Sequence, residues 1–224
     1  MLKAVFCDFY GTVVFEDDEP INMITERIYQ SGNTENKKEI GIYWWQCFST
    51  LCTNSYGSGF RTQRELEIQS LTETLERFRA KEDAIKLSEP QFAYWKKPPI
   101  FTDSHSFFAD CFVPIFILSN IDTADLKSAL NYHGLKPAGI VTSEEARAYK
   151  PRREFFDFAL QKFGLEPNEV IHIGDSVTSD IVGAKSAGIK SIWINRKGKP
   201  TPPEVDMQTK DLYEALKLLK GKAV

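Results

Sequence analysis

Near its start the chain reads KAVFCDFYGT over residues 3–12. The apolar run is too short for a helix, and it stops at Asp8, with Gly11 and Thr12 close behind. Short runs rich in Val and Phe are typical of strands buried on both faces of a parallel sheet. We therefore predict a buried parallel strand over residues 3–9, with Asp8 at its carboxyl end.

Further runs of this kind follow, and helical patterns separate the later ones. Gly134, Gly164 and Gly188 come directly after those patterns, where glycine commonly ends a helix. The alternation predicts an α/β fold, a doubly wound parallel sheet with helices on both faces. The predicted strands cover residues 113–118, 139–142, 170–173 and 191–194, and the predicted helices cover residues 122–132, 152–163, 178–187 and 211–219.

Residues 16–97 break this rhythm, because they contain no convincing strand. They read as several helices, with breaks at 32–33 and 56–59, and Pro98 and Pro99 mark the return to the sheet. We predict an inserted all-helical domain over 16–97 and a core domain built from 1–15 and 98–224. Its aromatic cluster has helical spacing, and we interpret it as core rather than pocket. The cluster consists of Tyr43, Trp44, Trp45 and Phe48.

Composition excludes several classes of function. The formal net charge is -3, with 42% hydrophobic and 26% charged residues, so the chain lacks the basic surface that nucleic-acid binding needs. No apolar run is long enough to cross a bilayer, and the N-terminus does not read as a signal peptide. The four cysteines are scattered, which is consistent with a reducing compartment. We expect a cytoplasmic protein with no nucleic-acid or membrane partner, either a monomer or a homodimer.

Polar residues follow the predicted strands where each strand ends. Ligands of open parallel sheets bind at the carboxyl ends of the strands, so these side chains are expected to converge there. Burying such groups together is favourable only if they pair or bind something. The residues are Asp8, Ser119, Asn120, Lys150, Asp175 and Asp180.

These segments, in this order, resemble the haloacid dehalogenase (HAD) superfamily of hydrolases, with a Rossmann-like core and a helical cap. The resemblance implies that Asp8 is the nucleophile and forms a covalent aspartyl intermediate. It implies that Thr12 and Ser119 hydrogen-bond the developing charge on the transferred group, and that Lys150 neutralises charge on the nucleophile. Asn120 would help to place a small-molecule substrate.

The resemblance also implies a site for Mg2+. Asp175, the Asp8 carboxylate and the Tyr10 carbonyl would be its oxygen ligands, and Asp180 would support them directly or through water. Gly11 would permit a tight turn beside Tyr10 and a close approach of the backbone to the substrate.

Two features point to different reactions. Phosphatases that resemble this chain carry a general acid where Tyr10 stands, and dehalogenases carry a tyrosine there. The acidic pattern at Asp175, Ser176 and Asp180 resembles the magnesium site of the phosphatases instead. We favour a Mg2+-dependent phosphatase with a preference for good leaving groups, because unneutralised carboxylates beside Asp8 are costly. The alternatives are a metal-independent L-2-haloacid dehalogenase and a catalytically weak binding or regulatory protein on the same scaffold.

Other polar residues are interpreted more simply. His105, His133 and His172 have no spacing that pairs them as metal ligands, so we predict structural roles for them. Arg61 is within the insert and could reach a substrate anion from above, but a solvated position at a helix start is the simpler interpretation.

Overall fold

The computed structural model describes residues 1–222, and its centre is a parallel sheet with strand order β3-β2-β1-β4-β5-β6. All five predicted strands are confirmed, with small shifts at their ends. The edge strand β6 was missed, since two residues carry no readable pattern. The strands are β1 (Ala4–Cys7), β2 (Ile115–Ser119), β3 (Gly139–Thr142), β4 (Val170–Gly174), β5 (Lys190–Ile194) and β6 (Gln208–Thr209).

Strand β1 lies in the middle of the sheet, with β2 on one side and β4 on the other. Its side chains alternate between the two faces, as a strand requires. Val5 and Cys7 pack into one apolar cluster, and Ala4 and Phe6 pack into the cluster on the opposite face. Every β1 residue is buried. The chain adds β2 and β3 on one side of β1 and then β4, β5 and β6 on the other, so the strand order reverses at β1. In such sheets the ligand-binding crevice lies at the carboxyl ends of the strands at this reversal.

The helices of the core cover both faces of the sheet, which confirms the doubly wound fold. All three predicted glycine stops are confirmed by their left-handed backbone, with φ of 65° at Gly134, 64° at Gly164 and 77° at Gly188. Two short helices, α5 and α7, were not predicted. The core helices are α5 (Ser104–Asp110), α6 (Thr123–His133), α7 (Ser143–Ala146), α8 (Arg153–Phe163), α9 (Gly183–Ser186) and α10 (Leu212–Lys222).

The predicted helix over 178–187 forms differently. A π-helical turn covers Val177–Val182, and the α-helical part is only α9 (Gly183–Ser186). The Asp180 carboxylate bonds the Ser176 N–H at 3.0 Å, so the side chain turns back toward β4. Wide turns of this kind are often found at functional sites. Hydrophobic periodicity could not have shown this.

The insert consists of four helices packed around their own apolar cluster, as a helical cap. They are α1 (Asp18–Ser31), α2 (Lys37–Asn54), α3 (Gln63–Phe78) and α4 (Ala84–Lys96). Ile24, Ile40 and Leu71 are among the residues at the centre of the cluster. The break between α3 and α4 was missed, because it begins at Arg79 with φ of 53° rather than at a glycine. The helices end inside residues 16–97, and the domain limits themselves stay a prediction.

The cap is attached to the core at the start of α3. Asp122 of the core accepts hydrogen bonds from the backbone N–H groups of Gln63, at 2.7 Å, and Arg64, at 3.2 Å. The Arg64 guanidinium forms two 2.7 Å bonds with Asp125, which is buried in α6. A core carboxylate thus bonds the free N–H groups that begin a cap helix. Among the helices of residues 1–222, none has the length and apolarity to cross a membrane.

Candidate active site

A cavity of about 300 Å³ lies between the carboxyl edge of the sheet and the cap. We call its core side the floor and its cap side the roof. The floor comprises Asp8, Tyr10, Ser119, Asn120, Tyr149, Lys150, Asp175, Ser176, Ser179 and Asp180. The roof comprises Glu16, Asp17, Ile21, Gly41, Trp44, Trp45, Phe48, Cys52, Gln63, Glu67 and Gln91.

Lys150 is buried at the centre of the floor. Its Nζ donates to Asp8 Oδ1 at 2.7 Å, to Asp180 Oδ1 at 2.6 Å and to the Leu118 carbonyl at 3.0 Å. Burial alone would lower the pKa of Lys150, but the charges of Asp180 and Asp8 outweigh it and hold the pKa above its ordinary value. The lysine is therefore a fixed cation whose three protons are all in use.

Asn120 holds the backbone of Lys150 in place. Its Oδ1 accepts from the Lys150 N–H at 2.7 Å, and its Nδ2 donates to the Lys150 carbonyl at 3.0 Å. The end of β2 thereby fixes the position of the lysine. The side chain also lines the cavity, so the predicted contact with substrate stays a prediction beside this observed positioning role.

Asp180 is buried beneath Lys150, and both of its carboxylate oxygens accept hydrogen bonds. Oδ1 accepts from Lys150 and lies 2.9 Å from His172 Nε2, and Oδ2 accepts from the Ser176 N–H. Burial opposes ionisation, but Lys150 and His172 outweigh it and keep the pKa of Asp180 below its ordinary value. Asp180 is therefore an ionised anchor, and His172 is a supporting residue whose role the sequence pattern did not reveal.

Two glycines make room for the carboxylates. Gly11 has φ of +87°, and a Cβ there would lie 2.5 Å from Asp175 Oδ1. A Cβ on Gly174 would overlap the Asp180 carboxyl group. Any side chain at Gly11 would also strain the backbone. The acids can converge only because these positions carry no side chain.

The floor concentrates negative charge. One carboxylate oxygen from each of Asp8, Asp175 and Asp180 lies within 4.8 Å of the others. Burial raises the pKa of Asp8 to about 7, although Lys150 opposes this. Burial, with the charges of Asp8 and Asp180, raises the pKa of Asp175 well above its ordinary value. A divalent cation with a preference for oxygen ligands fits such a cluster, because it supplies the missing positive charge.

Tyr10 points its hydroxyl group into the cap. The hydroxyl donates to the Trp95 carbonyl at 2.6 Å, and burial raises the pKa of Tyr10 well above its ordinary value. A proton held this way is a poor source for general acid catalysis near neutral pH. The ring still lines the cavity, so Tyr10 shapes the site.

Most of the predicted site residues line one cavity. The two exceptions, Thr12 and Gly11, lie next to Asp175, which lines it. Ser119 is buried in the floor at the end of β2. Thr12 Oγ1 is 3.4 Å from Asp175 Oδ1, and Gly11 adjoins the same carboxylate. The structure brings these residues together, and their individual roles stay predictions.

The roof differs from the interpretation of the sequence. Trp44, Trp45 and Phe48 line the cavity, so the aromatic cluster is not only core. Trp44 does both, since it is buried and its Nε1 donates to Ser70 at 3.1 Å. Arg61 is not among the lining residues and bonds Gln69 and the Glu65 carbonyl instead.

Glu67 and Gln91 of the roof were missed, although the sequence contained a signal for each. Glu67 lies on the apolar stripe of α3 that includes Leu71, where a charged residue is out of place. Gln91 lies one helical turn from both Leu87 and Trp95, and all three are buried in α4. A polar residue in the middle of a buried stripe is the pattern that could have identified them.

Comparisons with known proteins agree with this geometry. A family model described as haloacid dehalogenase-like hydrolase matches residues 2–188. The chain is 35% identical over 122 residues to haloacid dehalogenase-like hydrolase domain-containing protein 3 of Danio rerio, covering 50% of each chain. It is 29% identical over 146 residues to a phosphoserine phosphatase of Thermus thermophilus, covering 60% of this chain and 57% of that protein. The matches thus span only about half the length of these curated relatives.

Solved structures share the fold. The L-2-haloacid dehalogenase of Xanthobacter autotrophicus superimposes with a TM-score of 0.75 at 16% identity, over 99% of both chains. At this identity the likeness concerns the architecture of core and cap alone.

Proposed function

This chain belongs to the haloacid dehalogenase-like hydrolases, enzymes that act on small molecules, and we propose that it is a Mg2+-dependent phosphatase of small phosphorylated metabolites. Asp8 is its proposed nucleophile. The phosphatase name of the Thermus thermophilus relative is consistent with this reaction.

The charge balance of the cavity is the observation that carries the proposal. The lining includes six acidic residues and a single basic one, Lys150. All three protons of that lysine are bonded within the floor. Positive charge from a bound cation would favour the entry of a phosphate dianion among these acidic groups. Asp8, Asp175 and the Tyr10 carbonyl are the proposed ligands of Mg2+, which would supply charge stabilisation for the transferred group, with Asp180 in support.

The protein groups on the floor divide the reaction into two steps. The Asp8 carboxylate forms a bond to phosphorus as the bond to the leaving oxygen breaks, and the leaving group departs as an oxyanion with that electron pair and takes a proton from water. Water then attacks phosphorus, and the Asp8 carboxylate is released with free phosphate. Lys150 stays bonded to Asp8 Oδ1 at 2.7 Å and stabilises the charge on the nucleophile throughout. Thr12 and Ser119 are the proposed donors to the phosphoryl oxygens.

The position of Tyr10 limits which substrates react fast. Its hydroxyl is tied to the Trp95 carbonyl, so no tyrosine proton is available to the leaving oxygen. A positioned general acid is worth about 10²–10⁴-fold in rate. We propose that aryl and acyl phosphates, whose leaving groups depart without a proton, are hydrolysed much faster than simple alkyl phosphates.

A dehalogenase is the second candidate, and Tyr10 is the residue that favours it. The floor opposes it, because a 2-haloacid carries a carboxylate that needs a cationic partner. Lys150 is the only cation among the described lining residues, and its protons are already bonded. In the proposed phosphatase, Mg2+ would be the cationic partner of the substrate anion. The metal-independent dehalogenase reaction has no such partner.

The test compares p-nitrophenyl phosphate with L-2-chloropropionate, each with Mg2+ and with EDTA, using Asp8→Asn as the blank. Phosphate release that requires both Mg2+ and Asp8 is expected. Chloride release that is indifferent to EDTA would overturn the proposal in favour of the dehalogenase. If neither product appears and the protein also fails to bind beryllium fluoride with Mg2+, the binding-protein alternative gains support.

A further inference from the structure

The roof contains a pocket of hydrogen-bond acceptors that the proposed reaction does not use. Asp17 Oδ2 accepts from Gln91 Nε2 at 2.9 Å and from Trp95 Nε1 at 2.7 Å. Because the carboxylate can only accept, it fixes the Gln91 amide with its nitrogen toward Asp17. Gln91 Oε1 then lies on the other side of the amide.

This oxygen has no partner. Gln91 is 3% exposed, and its Oε1 is buried without a hydrogen bond from any described residue. An unsatisfied buried acceptor costs free energy, so native structures rarely keep one without a ligand or water. Gln63 Oε1, also in the roof, is buried and unbonded in the same way. The roof therefore contains two buried acceptor oxygens without a donor among the described residues.

Glu67 adds a buried carboxyl group beside these acceptors. It is 3% exposed, and burial together with the nearby Asp17 raises the pKa of Glu67 to about 8. The two arginines at the start of α3 are engaged elsewhere, since Arg64 pairs with Asp125 and Arg61 bonds Gln69. A buried acid without a counter-charge is the environment that a positive ligand group would relieve.

Aromatic side chains complete the roof. Trp44, Trp45 and Phe48 line the same cavity. Ammonium groups bind favourably over such rings as well as to carboxylates. An anionic leaving group, by contrast, would meet acids, acceptors and negative ring faces together.

From this geometry we propose that Glu67, Gln91, Gln63 and Asp17 bind an ammonium group on the leaving half of the substrate, so that the enzyme selects phosphates whose leaving group carries an ammonium group. The inference rests on the proposed phosphatase function and names its substrate class. The phosphate occupies the floor, and the ammonium group donates its hydrogens to the acceptors of the roof.

The test uses two inhibitors that cannot be hydrolysed, 2-aminoethylphosphonate and propylphosphonate, which have the same length and differ in ammonium against methyl. Their inhibition constants are measured against p-nitrophenyl phosphate in the Mg2+-loaded protein. The aminoalkyl compound is expected to bind about 10-fold tighter, as for a hydrogen bond to a charged group. Because neither compound reacts, leaving-group chemistry does not affect the ratio.

Substitutions in the roof test whether its residues cause the preference for the aminoalkyl inhibitor. Glu67→Gln and Gln91→Leu are each expected to bring the ratio of the two inhibition constants close to one. Glu76→Gln makes the same chemical change at an exposed position of α3 and is expected to preserve the ratio. Glu67→Gln keeps the size of the side chain, so it remains informative if Gln91→Leu fails to fold.

The two proposals fail separately. Turnover of p-nitrophenyl phosphate with equal inhibition constants, or with a preference that both roof variants keep, would overturn the ammonium site alone. If turnover is absent, calorimetric titration of the same two phosphonates still measures the ratio. A tenfold preference lost in Glu67→Gln would then support the site while the phosphatase proposal falls.

Discussion

The floor and the roof of the cavity handle polar groups in opposite ways. On the floor, Lys150 and Asp180 bond to each other and to fixed neighbours, so few positions are left to a ligand. In the roof, Gln63 and Gln91 keep buried oxygens without partners. The difference supports our two proposals, in which the floor carries out the reaction and the roof selects the substrate.

We expect the largest loss of stability from removing Lys150, the cation at the centre of the floor. Lys150→Met would leave Asp8 and Asp180 buried and unpaired, and we expect a loss of about 3–5 kcal/mol in the free energy of unfolding. Urea denaturation without Mg2+ measures it. The matched control is Lys127→Met on the exposed face of α6. A loss no larger than that of the control would mean that the lysine does not hold the floor together.

The stability of the folded protein should depend on pH, and bound Mg2+ should change that dependence. Burial raises the pKa of Asp8 to about 7 in the folded protein, against about 3.9 when unfolded. The folded state therefore holds the extra proton between these values, and stability without Mg2+ falls as the pH rises through this range. Mg2+ needs the ionised carboxylates, so its stabilisation should grow with pH.

The expected size follows from ligand linkage. At about 100 times its dissociation constant, Mg2+ should stabilise the protein by about 2–3 kcal/mol near pH 8 and much less near pH 5. Thermal unfolding with and without the ion measures this. Asp175→Asn should abolish the Mg2+ effect at both pH values. An effect that is independent of pH, or that survives in this variant, contradicts the assigned site.

The smallest expected effect comes from loosening the roof without touching the floor. Arg64→Ala would remove two 2.7 Å bonds to buried Asp125, and we expect a loss of about 1–3 kcal/mol in unfolding free energy. KM for p-nitrophenyl phosphate should rise while kcat changes little, because the roof would be held less firmly over the floor. Arg77→Ala on the exposed side of α3 is the control. A large fall in kcat with unchanged KM would show that the two sides are not separable.

The floor could be predicted from the sequence because its predicted residues lie at the carboxyl ends of strands or in the segments that follow those strands. Asp8 follows β1 directly, and Asp175 follows β4, so backbone geometry alone places them at one edge. The pairing of His172 with Asp180 was not predictable, because it depends on the π-helical turn at Val177–Val182. Five strands and their direction were predicted for the same reason as the floor.

The roof could not be predicted in this way. Its residues lie on α1–α4, and which helix face meets the cavity depends on how these helices pack on one another and on the core. Glu67 and Trp44 both lie on the inner faces of their helices, and only the packing of the cap shows that these faces also reach the cavity. The break after α3 was missed because Arg79 adopts a conformation that glycine usually supplies.

The central claim is that Asp8 accepts a phosphoryl group in a floor that holds Mg2+. Beryllium fluoride mimics a phosphoryl group bound to a carboxylate, and fluorine NMR observes it directly. The account predicts a bound fluoride signal with wild-type protein and Mg2+, and no such signal with EDTA or with Asp8→Asn. A bound signal that persists in Asp8→Asn, or no signal in wild-type protein that releases chloride from L-2-chloropropionate, would contradict it.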